Sequence, residues 1–332
     1  MRGSHRLRGA PQAGVGHRDR QASSGVRATL LSACLLGTTP VLGKLAITAG
    51  FSPLATVALR TGLAAALLLV IVLVFYPSYV YIYPVGLAGC LLAGLVNGTG
   101  SLLYYLALSR IDASLGQLLF SLYPFFVAMW LMLDRQMPSR LTQIRIVAAM
   151  LAVMLLVFMP GHKVDAVGMG LMLGAGILYA LHLPINQRVL YEVPAPTVTL
   201  YTLLAMSLIT IPAYVVFDGQ WPAANAQWLP VLSLAGVTFG SRLLLFLAVK
   251  RIGGMQTALL GLAELLVTLL LGALWLGERL SGVQWIGVLV LVGSLLLAHG
   301  EPAPAPRIDG KSGWLAWLHA PRTRTGLFGP YE

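Results

Sequence analysis

The chain has 332 residues, of which 58% are hydrophobic and 10% charged. Soluble domains carry roughly a quarter charged residues, so this composition excludes a water-facing surface of ordinary extent. The balance is basic, 22 Lys and Arg against 11 Asp and Glu, but the cations lie between apolar runs and in the tails. That distribution argues against nucleic acid as a partner and for orientation in a lipid bilayer.

Residues 1–27 carry six arginines and no short apolar core followed by a cleavage site. They are expected to be a disordered cytoplasmic tail, and the apolar run after Arg27 a retained spanning helix. A spanning helix needs about 20 mostly apolar residues. Ten such runs follow, at 28–48, 54–76, 84–107, 113–133, 141–159, 167–190, 196–217, 228–249, 254–276 and 282–299. Helix breakers separate them, as in Gly50-Phe51-Ser52-Pro53 and Val193-Pro194-Ala195-Pro196, and the short links imply antiparallel neighbours. The runs are continuous rather than alternating, which excludes a β-barrel. Residues 300–332 are expected to be a mostly disordered cytoplasmic tail. Trp314-Leu315-Ala316-Trp317-Leu318 is its one apolar patch, too short to form a helix alone. Of the 22 basic residues, 16 fall on the side of the termini, 4 on the other side and 2 within runs, which predicts both termini in the cytoplasm.

The second half echoes the first. Tyr105-Leu106-Ala107-Leu108-Ser109-Arg110-Ile111 matches Phe246-Leu247-Ala248-Val249-Lys250-Arg251-Ile252 in hydropathy, 141 positions on. The same offset pairs Tyr123 with Glu264 and Gln143 with Gln284. Five runs per repeat is an odd number, so the second repeat enters the bilayer upside down. The expected fold is an all-α integral membrane protein of ten transmembrane helices, with repeats at 28–159 and 167–299. Inverted repeats of this kind suit alternating access to a central site.

Leu36-Gly37-Thr38-Thr39-Pro40-Val41-Leu42-Gly43-Lys44, Phe51-Ser52-Pro53-Leu54 and Ala58-Leu59-Arg60 resemble the first two helices of the EamA branch of the drug/metabolite transporter superfamily. Tyr104-Tyr105-Leu106-Ala107-Leu108, Leu122-Tyr123-Pro124, Ala263-Glu264-Leu265-Leu266, Trp275-Leu276-Gly277-Glu278-Arg279-Leu280 and Gln284-Trp285-Ile286-Gly287 are similar to its later motifs, in the same order. The resemblance implies a ten-helix carrier for amino acids, nucleotide-like metabolites, sugars or drugs. Two departures stand out. Leu265 follows Glu264 where the family often has Pro, and Asp134-Arg135 occupies an exit turn that usually reads Gly-Glu.

A charge within hydrocarbon costs about 2.5–3.5 kcal/mol on insertion scales, so such groups find partners or water. Arg60, Arg242 and Glu264 are the three charges well inside the runs. Glu264 sits roughly 15 Å of helical rise into its run. Arg242 lies at similar depth on the preceding antiparallel run, so an ion pair between them is geometrically feasible, either as a register device or as a gated substrate or proton site. Arg60 is placed either to reach the outer face or cap carbonyls there, or to clamp an anion. Lys44, nearer that face, is expected to extend toward it or to cap carbonyls there. His182, inside the sixth run, is expected to bond a backbone group or to relay protons. Pro40, Pro124 and Pro184 free backbone carbonyls within runs, which a cavity, a side chain or water must satisfy.

The expected substrate site comprises Thr38, Arg60, Asn97, Tyr105, Tyr123, Tyr179, His182, Arg242 and Glu264. No catalytic constellation, cofactor or metal is expected, so the chain is not read as an enzyme. The expected function is a secondary transporter of a small metabolite, an amino acid, a related compound or a drug, in the cytoplasmic membrane. Protons are a candidate coupling ion and a homodimer a candidate assembly. The alternative is a non-transporting scaffold or a lipid-handling membrane protein.

Overall fold

A computed structural model of the chain describes residues 13–134, 137–157, 165–220, 222, 226–275, 277, 282–296, 314–315 and 317–318. The regular elements among them are all helical, because a backbone in hydrocarbon must satisfy its own polar groups. They are α1 (Ala13–Leu36), α2 (Thr39–Thr48), α3 (Pro53–Phe75), α4 (Pro84–Leu108), α5 (Ala113–Phe120), α6 (Tyr123–Leu133), α7 (Arg140–Val157), α8 (Ala166–Leu190), α9 (Ala195–Phe217), α10 (Leu229–Ile252), α11 (Gly254–Gly261), α12 (Ala263–Trp275) and α13 (Gly282–Leu296). A short 3-10 turn spans Pro77–Val80.

Among the described residues, eight stretches are long and apolar enough to cross a bilayer: Ala22–Thr48, Pro53–Phe75, Pro84–Leu108, Ala113–Leu133, Ala166–Leu190, Ala195–Phe217, Leu229–Ile252 and Gly254–Trp275. The chain is a multi-pass membrane protein. The remaining two predicted runs contain α7 and α13, and their last residues, 158–159 and 297–299, lie outside the described residues. α7 and α13 pack on each other and turn Ile144, Val147, Leu151, Trp285, Ile286 and Leu289 outward, the surface that lipid requires.

Three of the stretches are broken, each for a local reason. Between α1 and α2, Pro40 cannot donate to the preceding turn, and the Thr38 hydroxyl donates back to the Leu35 carbonyl at 2.7 Å. Between α5 and α6, Pro124 in the first turn of α6 cannot donate backward, and Ser121 Oγ donates to the Gln117 carbonyl at 2.7 Å. Between α11 and α12 there is no proline; here Tyr123 Oη donates to the Ala258 carbonyl at 3.0 Å, supplying a bond within the broken segment. α5 and α11 are both eight residues long and start 141 positions apart.

The packing follows the same offset. α4 lies along α8 and α9, and α10 lies along α1 and α3. Close approach is bought with small residues: a Cβ on Gly94 would stand 2.4 Å from Ala205 Cβ and 2.6 Å from the Thr202 carbonyl of α9. A Cβ on Gly37 would stand 2.5 Å from the Glu264 carbonyl. The Gly37 carbonyl in turn accepts from Thr268 Oγ1 at 2.7 Å, so the broken end of α1 is fastened to the first turns of α12.

Parts of both tails are among the described residues. Residues 1–12 lie outside the described residues, but α1 begins at Ala13, inside the segment read as an unstructured tail. Gly25 and Ser24 pack against Ile252 and Arg251 at the end of α10, which continues the helix beyond its apolar part. At the other terminus, Leu315 and Leu318 are 0% and 1% exposed.

Candidate functional site

The broken stretches and α3, α4, α8 and α10 converge on one small cavity of about 50 Å³. It has room for a few water molecules. Five of the nine expected site residues line it: Arg60, Asn97, Tyr179, Arg242 and Glu264. Thr39, Ser101, Tyr104 and Gln117 line it as well.

The two guanidiniums are buried, at 5% and 4% exposed. Arg60, from α3, donates to Thr238 Oγ1 and to Ser101 Oγ, both at 3.3 Å, and its guanidinium carbon lies 4.9 Å from the centre of the Tyr105 ring. Arg242, from α10, faces the Asn97 amide oxygen, which accepts from both terminal nitrogens at 2.9 and 3.0 Å in the orientation its neighbours demand. The Tyr179 ring lies 5.7 Å from the Arg242 guanidinium carbon, within cation–π range.

His182 does not line the cavity. It is fully buried behind Arg242, with Nδ1 on the Tyr179 carbonyl and Nε2 3.3 Å from Arg242 Nη1. A carbonyl only accepts, so Nδ1 carries the hydrogen and Nε2 is left as the acceptor for the guanidinium. Of the two expected roles, the geometry displays the backbone bond, and it adds the support of Arg242.

Glu264 stands in the first turn of α12 at 3% exposed, beside Gln117. Its Oε1 finds no hydrogen-bond partner among the described residues, and neither does Thr39 Oγ1. The ion pair with Arg242 that equal depth made feasible is not formed. Arg242 is taken up by Asn97 and His182 instead, and both charged groups face the cavity separately.

The other expected residues fall beside the site. Thr38 bonds its own helix, and its neighbour Thr39 takes the lining position. Tyr105 is 0% exposed beneath Arg60, and Tyr104, one residue earlier, faces the cavity. Tyr123 reaches away to α11, through the gap that Gly261 leaves. Helical spacing holds the signal that finds the missed groups: Asn97, Ser101 and Tyr104 follow i, i+4, i+7 and share one face of α4. Lys44 takes the capping role expected of it at that end. Its Nζ donates to the Leu108 and Ile111 carbonyls at 3.0 and 2.9 Å, closing the end of α4.

The end of the bundle nearest the termini holds a second buried charge cluster. Arg188 Nε and Nη2 donate to Asp134 Oδ2 at 3.1 and 2.6 Å, with the side chains 5% and 0% exposed. Asp134 Oδ1 accepts from the Leu315 backbone amide at 3.2 Å. The Asp-Arg that replaces the familiar exit turn thus supplies the acceptor for Arg188 of α8.

Comparison with known proteins agrees with this architecture. A solved crystal structure superposes with a TM-score of 0.65 at 19% identity, covering 83% of this chain and 96% of its own; at that identity the likeness is one of fold. An uncharacterized transporter of Synechocystis sp. is 26% identical over 211 residues, 60% of this chain. The chain spans 62% of that relative's length. The model of the EamA-like transporter family matches residues 23–158 and again 166–299, and the chain belongs to that family.

Proposed function

We propose that the protein is a secondary transporter that carries a small metabolite through the central cavity by alternating access. The carrying observation is the cavity itself: buried groups of both signs, Arg60, Arg242 and Glu264, meet at one place between the first and second halves of the chain. Scattered charges, each sealed in its own packing, would have suited a scaffold. Convergence on a common space suits a ligand, because a bound solute repays the cost of holding unpaired charge in hydrocarbon.

The transport cycle in this reading uses ten spans arranged as two inverted repeats of five. The eight-residue helices α5 and α11, 141 positions apart, support it, as does the way α4 against α8 mirrors α10 against α1. The present cavity has room for only a few waters, so a metabolite enters only as the helices around it separate. Both termini lie in the cytoplasm, on the side that holds the larger share of Lys and Arg. Glu264 is the proton-coupling candidate, since its carboxylate borders the cavity without a fixed cationic partner.

Replacing Glu264 by Gln keeps the shape and removes the titrating charge. In proteoliposomes the variant is expected to lose net uptake, or its dependence on a pH gradient, while its thermal unfolding stays near wild type. Wild-type rates at every pH tested would remove Glu264 from the mechanism and, with it, the main support for a carrier.

A further inference from the structure

The charge of the cavity points to the kind of substrate, on the footing that the protein is a carrier as above. Arg60 and Arg242 carry two positive charges into the middle of the bundle and Glu264 one negative charge. The other ten acidic residues lie at the ends of runs, between them or in the tails. The groups that hold the guanidiniums are all neutral: Thr238 and Ser101 for Arg60, Asn97 and His182 for Arg242. Each guanidinium keeps an Nε without a partner among the described residues. With all three groups ionised, the site is one positive charge out of balance in a medium where imbalance is costly.

We propose that the substrate is a small organic monoanion whose carboxylate binds between Arg60 and Arg242. One negative charge makes the loaded site neutral, and the flat guanidinium matches a carboxylate in shape as well as charge. Binding neutralises the site before it moves, whereas the empty site moves with its charge uncovered. The empty carrier therefore reorients more slowly than the loaded one, and exchange outruns net uptake.

The test is a matched series of a short-chain monocarboxylate, its amide and the amine of equal length, each radiolabelled, with the purified protein in proteoliposomes. The carboxylate is expected to enter fastest and to raise the unfolding temperature of the protein. Arg60→Gln and Arg242→Gln should each weaken its uptake about ten- to a hundredfold, the worth of a lost charge-assisted hydrogen bond. Arg242→Lys should keep more uptake than Arg242→Gln, which guards against a simple folding defect. Glu264→Gln should keep the heat protection by carboxylate, because it removes the one like charge. If the amide or amine enters faster than the carboxylate once entry into protein-free liposomes is subtracted, the protein is a carrier and the anion assignment is wrong. If none of the three enters and none protects against heat, both readings fall together.

A separate observation concerns the C-terminal segment. Leu315 and Leu318 sink among Ala93 of α4 and Ile185 of α8, with Leu318 also against Gly89. The Leu315 amide donates to buried Asp134, and the Trp314 ring lies 6.3 Å from that of Trp130. One short segment thus ties together the same ends of α4, α6 and α8, and α4 and α8 carry Asn97, Ser101, Tyr104 and Tyr179 of the cavity. We infer that Trp314, Leu315 and Leu318 act as a strap that holds this end of the bundle closed and must leave before the end can open.

Cys90, 0% exposed beside Gly89, is a reporter already in place. In a Cys34→Ser background, Leu315→Ser with Leu318→Ser should speed modification of Cys90 by a water-soluble maleimide several-fold. Cutting at a protease site placed ahead of Trp314 in the folded, reconstituted protein should do the same without passing through unfolding. Labelling no faster after the cut would overturn the strap.

Discussion

The two ends of the bundle are closed by different physical means. Near the termini, the Arg188–Asp134 pair is buried, with two Arg188 nitrogens on Asp134 Oδ2, and the Leu315 amide donates to Asp134 Oδ1. At the opposite end the ion pair is Arg110–Asp165, with side chains 50% and 33% exposed, and closure relies on Lys44 capping α4 and on Ser52 bonding Asp218. Water screens the second set and is excluded from the first. The same types of residue therefore carry unequal weight, and the end near the termini holds the stronger contacts.

The sharpest way to break this contrast is to remove half of the buried pair. Arg188→Gln takes the Arg188 cation from the Asp134 carboxylate and should cost about 3–5 kcal/mol in thermal or denaturant unfolding. The double variant Asp134→Asn with Arg188→Gln should recover much of that loss, because both members of the pair are then neutral; equal losses in the single and double variants would mean that packing, not charge, closes this end. At the opposite end, Lys44→Met leaves the Leu108 and Ile111 carbonyls without their cap, a loss of about 1–2 kcal/mol by the same measurement. Ser52→Ala removes the hydroxyl that accepts from the Ala55 amide at the start of α3, with an expected cost of about 1 kcal/mol.

The smallest effect belongs to Asp165. The hydrogen bond from Arg110 holds its carboxyl below the ordinary range, helped by the Gly168 and Val167 amides. A depressed value stabilises the fold at neutral pH, and the contribution fades as pH falls through that depressed value. Because the group is exposed, the change is expected to be near the limit of detection, and Asp165→Asn should flatten the acid side of the stability profile only slightly. A steep acid transition abolished by Asp165→Asn would show that this end is held more firmly than its exposure implies.

The cavity shows where reasoning along a helix succeeds and where it stops. Depth in the bilayer comes from counting residues from the end of a run, and that placed Arg242 and Glu264 at the level where both line the cavity. Facing is a rotation of 100° per residue, and a helix break resets it. Thr38 and Tyr105 were each one residue from the lining positions Thr39 and Tyr104, the first at the break before Pro40, the second on the neighbouring side of α4. Tyr123 was drawn away by a carbonyl on α11, a partner 135 residues distant.

Composition, run length and the spacing of charges were enough to determine that this chain lives in a bilayer, crosses it many times and repeats itself at an offset of 141. These follow from the chain alone because the cost of polar groups in hydrocarbon acts on each segment separately. Which neutral groups would hold Arg242, that Glu264 would stand apart from it, and that a five-residue patch near the C terminus would bury two leucines were decided only when the helices packed. Each depends on distances between segments far apart in sequence, and those distances are properties of the whole bundle.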